Sequence, residues 1–221
     1  MGMKPSIVIV SLSFCLLASC TPVTQTASSP EVVTVYGSLA AQPWMTELYT
    51  CANEHSILLN FTSQDPEIYL RLGEPEPLVS AAYRIGEEEI LIVTNRESPV
   101  QNLSLEQAQA LFAGQGDPSV QVWVYSADED AQFAFDQLVM KGRGVTSFAK
   151  LATSPQQMSD ILDAESNAVG ILPRHWNPST GSGQGMGSVR EVYSAGTVPV
   201  LAITKAEPTG TTQGLIACIQ K

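Results

Sequence analysis

The side chains able to do chemistry are few and scattered. Histidine occurs only at His55 and His175, and neither has an acidic or cysteine neighbour at a metal-ligand spacing. The four cysteines, Cys15, Cys20, Cys51 and Cys218, include no Cys-x-x-Cys pair. No His-Glu-x-x-His, P-loop or Gly-x-Ser-x-Gly pattern is present, so metal-assisted hydrolysis, Walker-type phosphate cradling and serine acyl transfer have no carrier. Ser182, within Gly181-Ser182-Gly183, is explained by a flexible Gly/Ser loop. The expectation is therefore no catalytic residue, no metal and no cofactor, and a protein that is not an enzyme. What remains is the chemistry of recognition. Gly37-Ser38-Leu39 follows a β-rich run, and Ser126 stands at a strand-to-helix junction before Asp128, Glu129 and Asp130. Arg71 and Arg96 each follow a candidate strand or turn. Helix starts present unpaired N–H groups and a partial positive charge, so a Gly-Ser turn that opens a helix can hold an anionic oxygen. A plain strand-ending turn with a helix cap calls for the same residues.

Alternating strands and helices must position these groups. Residues 32–36, 57–62, 78–85, 89–94, 120–125, 168–172, 189–193 and 198–204 read as separate strands, the third and fourth joined at Gly86-Glu87. Residues 67–72 read as one helical turn or a short strand. Helices are expected over 42–55, from Asn102 or Ser104 to 113, from Ser126 to about 141, from Pro155 after Ser154, and over 211–220. Trp44, Trp123 and Trp176 read first as packing residues, with Trp176 also a candidate ligand contact. Strands alternating with helices define an α/β fold.

Composition narrows the class further. The 221 residues are 44% hydrophobic, enough for a packed core, and carry 11 Lys+Arg against 22 Asp+Glu, a net charge of -11. That balance excludes non-specific nucleic-acid binding and electrostatic docking on anionic lipid. Beyond the N-terminus no apolar run is long enough to span a membrane.

The N-terminus reads as an address. Lys4 precedes an apolar run over residues 7–17, followed by small residues, the three-part layout of a secretory signal over residues 1–19. Leu17-Ala18-Ser19-Cys20 resembles the lipobox of bacterial lipoproteins, which implies cleavage before Cys20, a diacylglyceryl thioether on its sulfur and an extracytoplasmic, membrane-anchored location. A plain signal peptide cut after a small residue is the alternative. Residues 20–31 then form a lipidated Cys and a Thr/Ser/Pro tether that could extend some 35 Å at ~3.3 Å per residue. In that compartment Cys51 and Cys218, on the first and last predicted helices, can form a disulfide stapling the two ends of the body; two buried free thiols are the alternative.

Three stretches carry a family resemblance. Ile90-Leu91-Ile92-Val93-Thr94-Asn95-Arg96-Glu97-Ser98-Pro99-Val100-Gln101-Asn102-Leu103-Ser104, continuing through Leu111-Phe112-Ala113-Gly114, resembles the interdomain crossing and following helix of phosphate-type solute-binding proteins of ABC transporters. Asn167-Ala168-Val169-Gly170-Ile171-Leu172-Pro173 is similar to a strand of that family, and Gly37-Ser38 to the turn opening its first helix. The resemblance implies a two-lobed type II periplasmic-binding-protein fold, with residues 32–94 and 186–221 in lobe 1 and residues 95–185 in lobe 2. Crossings are expected near 95–98 and 173–185. It also implies a monomer that holds a small solute, possibly an oxyanion, in the cleft for an ABC permease. Gly37, Ser38, Leu39, Arg71 and Ser126 are the expected ligand-binding residues. The family's Gly-Ser-Gly-Thr-Arg is missing from lobe 2, where Ser126-Ala127-Asp128-Glu129-Asp130 stands instead. Facing a cleft, each of those acids would oppose an anion by ~3 kcal/mol at ~5 Å and an effective dielectric of ~20; on the surface they would only stabilise a helix start. A degenerate binding-protein fold used as an interaction or sensing module is the competing expectation.

Overall fold

The computed structural model describes Gly2, residues 31–177 and residues 188–220. The expected signal peptide, Cys20, nearly all of the tether and the Gly/Ser loop with Ser182 lie outside the described residues.

β1 (Val32–Gly37) buries Val33 and Val35 and exposes Val32 and Tyr36, the alternation of a strand covered on one face. It pairs in parallel with β2 (Leu58–Phe61) and β3 (Ile68–Leu72). β3 turns Ile68, Leu70 and Leu72 inward, which settles residues 67–72 as strand. Two long strands follow a different course from the expected one. β4 (Ala81–Asn95) runs through Gly86-Glu87 without turning, and β8 (Val189–Thr204) is likewise continuous. The correction has a packing cause. The indole of Trp44 lies against Gly86, where any Cβ would run into the ring, so this glycine serves close approach instead of a turn. With β5 (Gln121–Val124), β6 (Lys150–Leu151) and β7 (Ala168–Pro173), the sheet order is β2-β1-β3-β8-β4-β7-β5-β6.

β4 and β8 run antiparallel from Ala81 opposite Thr204 to Asn95 opposite Val189, and their outer neighbours change along the way. β3 pairs with residues 200–203 of β8, while β7 pairs with residues 90–94 of β4. The sheet therefore has two halves, each with its own helices, joined by the middles of β4 and β8. At the join the register shifts between Ile90 and Leu91, and Gly196, opposite Ile90, adopts φ 119°. Strand partners thus switch before the crossing expected at 95–98 and after the one expected at 173–185, because bulges let one continuous strand bend from half to half.

α1 (Met45–Glu54) and α5 (Gly210–Ile219) pack together on the first half, where Cys51 and Cys218 form a disulfide with Cα atoms 5.9 Å apart. β1 and α5, near the two ends of the body, thus share one half. α2 (Leu105–Ala110) begins with a capping box between Ser104 and Gln107. α3 (Asp130–Phe135) starts later than expected: Glu129, not Ser126, is its N-cap. α4 (Pro155–Ala164) is capped by the Ser154 hydroxyl and packs on β7 and β4. The core is continuous and includes Leu48, Leu70, Ile92, Phe112, Phe135, Met158 and Leu215. Among the described residues no helix is long and apolar enough to cross a membrane.

Candidate functional site

Where β1 ends, the chain turns through Ser38, which is buried. The Ser38 N–H donates to the Leu70 carbonyl at 2.9 Å, tying the turn to β3. The Ser38 hydroxyl accepts from the Ala41 N–H at 3.2 Å, which fixes its orientation, and donates to Asp130 Oδ2 at 2.5 Å. The N–H of Leu72, at the end of β3, donates to the same oxygen at 2.7 Å. Two donors from the first half thus converge on one anionic oxygen supplied by the start of α3 in the second half. The two donors form a seat for one carboxylate oxygen, which the chain itself supplies. Charge-assisted bonds of this length are the strong kind.

The three acids divide between the two roles open to them in sequence. Asp128 is exposed, and the Ser126 hydroxyl and its own backbone N–H hold its carboxyl below the usual range. Glu129 is half-buried, and burial, followed by repulsion from Asp130 and Asp128, pushes its carboxyl up. Asp130 is only 4% exposed and is the one that reaches across. Its second oxygen, Oδ1, is buried with no hydrogen-bond partner among the described residues. Around the seat, burial raises the Tyr69 hydroxyl, with Asp130 adding to the rise and Arg71 opposing it. Complete burial, reinforced by Glu129 and Asp130, raises Tyr125 further, and its hydroxyl donates to the Ile171 carbonyl at 2.8 Å.

Of the residues expected to bind ligand, Ser38 is at the seat and Gly37 adjoins it as the last residue of β1. Gly37 packs against Met45, whose sulfur would lie 3.0 Å from an added Cβ. Leu39 is half-buried, and its carbonyl accepts from the Gln42 N–H at 3.5 Å. The Arg71 Nε donates to the Leu72 carbonyl at 3.3 Å, beside the seat. Ser126 is exposed and engaged with Asp128. Arg96 is tied to the start of β8, its Nε donating to the Val189 carbonyl at 3.4 Å. A concavity of about 500 Å³ adjoins Gly37, lined also by Tyr36, Met45, Tyr49, Phe61 and Thr62.

A second cluster crosses between the halves. Glu88, 1% exposed in the middle of β4, accepts from Trp44 Nε1 at 3.1 Å and from the His175 N–H at 3.2 Å, and meets His175 Nδ1 at 2.6 Å. His175 therefore has an acidic partner, contrary to the reading from spacing, because β4 and β7 bring together residues 87 positions apart. Trp176 Nε1 donates to the Ala40 carbonyl at 3.1 Å, so this side chain is a strut between the halves. Arg174 joins Glu89 at 2.5 Å and Glu191 at 3.1 Å. Among the described residues, Glu54, His55 and Cys218 bring potential metal-binding atoms together, but the Cys218 sulfur is in the disulfide. The sequence reading missed Asp130 as a bridging group, the Leu72 N–H and Glu88; the only sign of the first was the run of acids where glycines and an arginine were expected.

No family model and no curated protein matches the chain. Solved structures do. A phosphate ABC transporter substrate-binding protein from Clostridium perfringens, with bound phosphate, superposes with a TM-score of 0.73 at 17% identity over 86% of this chain and 93% of that one. An ABC-type phosphate transport receptor from Vibrio cholerae gives 0.65 at 16% identity, over 86% and 93%. The CcmR regulatory domain from Synechocystis, in complex with 2-PG, gives 0.65 at 10% identity, over 86% and 96%. The fold is thus that of the two-lobed, type II periplasmic binding proteins, as the resemblance implied. It serves both solute-binding proteins and regulatory domains.

Proposed function

We propose that the chain is an extracytoplasmic lipoprotein, anchored through a diacylglyceryl group on Cys20, that captures a small solute between its lobes and passes it to an ABC permease. The solute presents an anionic oxygen to the Ser38 hydroxyl and the Leu72 N–H. One observation carries this reading: those two donors converge on a single carboxylate oxygen from the opposite half. A phosphate, a sulfate or a small carboxylate offers an oxygen of the same kind. Contacts from both lobes would favour the closed arrangement when solute binds. Both donors and the opposing lobe come from one chain, so the seat calls for no second copy. Titration of the mature chain with phosphate, sulfate, molybdate, small carboxylates, sugars and amino acids tests the reading. A solute at 100 times its Kd adds about 2.7 kcal/mol of stability. No thermal shift with any of them would overturn it.

One observation favours a second reading, a non-transport interaction or sensing module. Asp130 already occupies the seat, and residues 126–130 put acids where the resemblance expects glycines and an arginine.

A further inference from the structure

We propose that Asp130 is an internal ligand which latches the cleft shut in the solute-free protein, so that a solute binds by expelling the chain's own carboxylate. The geometry points to this in three ways. The carboxylate bridges the halves through groups far apart in sequence, 92 positions to Ser38 and 58 to Leu72. It belongs to the second half by chain, at the start of α3, yet among the described residues both hydrogen bonds of its side chain go to the first. It is also incompletely satisfied, since Oδ1 is buried without a partner among the described residues. A bridge with one oxygen doubly held and the other stranded is exchangeable, because opening hydrates Oδ1 and frees both donors together.

The rest of the gap fits a latch. Among the described residues the other hydrogen-bonded ties across it are the Trp44–Glu88–His175 cluster, Trp176 to Ala40 at 3.1 Å, and Gln137 to Glu76 at 3.1 Å on the exposed rim. The join beneath contains register shifts in β4 and the positive φ of Gly196, a backbone already bent. A latch of this kind makes the binding-competent, open form a minor population, and apparent solute affinity falls by that fraction. It also sets specificity, because only a solute that satisfies Ser38 and Leu72 better than a tethered carboxylate can replace it.

The test compares the mature chain, Asp130→Ala and the neighbouring control Glu129→Gln, each first shown by circular dichroism to be folded. Small-angle scattering without solute should give a larger radius of gyration for Asp130→Ala, and equal values for the wild type and Glu129→Gln. Ser38→Ala, which removes one donor and keeps the carboxylate, should shift scattering in the same direction and provides the readout if Asp130→Ala does not fold. Titration with phosphate and sulfate should show at least a tenfold tighter Kd for Asp130→Ala than for the wild type. The affinity measurement rests on the oxyanion reading above; the scattering does not. Opening with no oxyanion binding in any variant would support the latch and remove the oxyanion reading. Unchanged scattering in the folded variants, or equal oxyanion affinity in wild type and Asp130→Ala, would overturn the latch.

Discussion

Ser38 and Asp130 are 92 residues apart in sequence, and the hydroxyl of one lies 2.5 Å from the carboxylate of the other. The bond joins the end of β1 to the start of α3, so it measures whether the two halves are together. Its loss has an expected stability consequence. Asp130→Ala removes the acceptor of the Ser38 hydroxyl and the Leu72 N–H, and as the cleft opens water satisfies both donors, so the cost is the net worth of the lost bonds, about 1–3 kcal/mol. A lowered urea midpoint, with a slope reduced by the surface the open form already exposes, is the expected result.

The Cys51–Cys218 bridge closes a sequence separation of 167 residues. Restricting so long a loop in the unfolded chain stabilises the fold by about 5 kcal/mol in the chain-entropy account. Urea unfolding with and without reductant should differ by about that amount. A thiol count on denatured, unreduced protein should find neither Cys51 nor Cys218 free.

Gly86 leaves room for the indole of Trp44. Gly86→Ala should destabilise by about 1–3 kcal/mol, through displacement of the ring and loss of its bond to Glu88. Gly86→Val should be worse. Tryptophan emission should move to the red in both, because the ring is pushed outward.

The acids near the joins give opposite pH responses. Hydrogen bonds from Arg174 and Ser194 hold the Glu89 carboxyl low. Its contribution is therefore present above the unfolded carboxylate pKa and is lost as pH falls through the lower, folded value. Arg174→Ala should flatten the acid limb of the stability profile. Burial raises Glu129, so its charge opposes folding at neutral pH and ceases to do so once both states are protonated. Glu129→Gln should raise the melting temperature at pH 7, an effect that disappears once the pH is low enough to protonate the carboxyl in both states.

Much of this molecule was legible in sequence, for identifiable reasons. The Ser104 capping box and the Ser154-Pro155 helix start are local, and local chemistry is what spacing records. The pairing of Cys51 with Cys218 was one of two outcomes open from the compartment the N-terminus implies and from helices at both ends of the body. What stayed hidden was non-local. Gly86 reads as a turn until Trp44 is seen lying on it, so one long strand was expected as two. Glu88 and His175 have no common spacing to betray them. Asp128, Glu129 and Asp130 are alike in sequence; only the path of the backbone makes the first exposed, the second half-buried and the third a bridge. The Leu72 N–H has no side-chain signature at all.

Membrane attachment is tested apart from the fold. Palmitate label and membrane association should both be lost in Cys20→Ser, and undiminished label would remove the lipoprotein assignment.

The most direct measurement is calorimetric titration of Asp130→Ala and the double variant Ser38→Ala/Asp130→Ala, both without the latch, with whichever oxyanion or carboxylate shifts the thermal transition. Binding in Asp130→Ala, weakened at least tenfold by the added Ser38→Ala, is the expected result. Equal affinity in the two proteins would place the solute elsewhere and contradict the assignment of the Ser38–Leu72 seat.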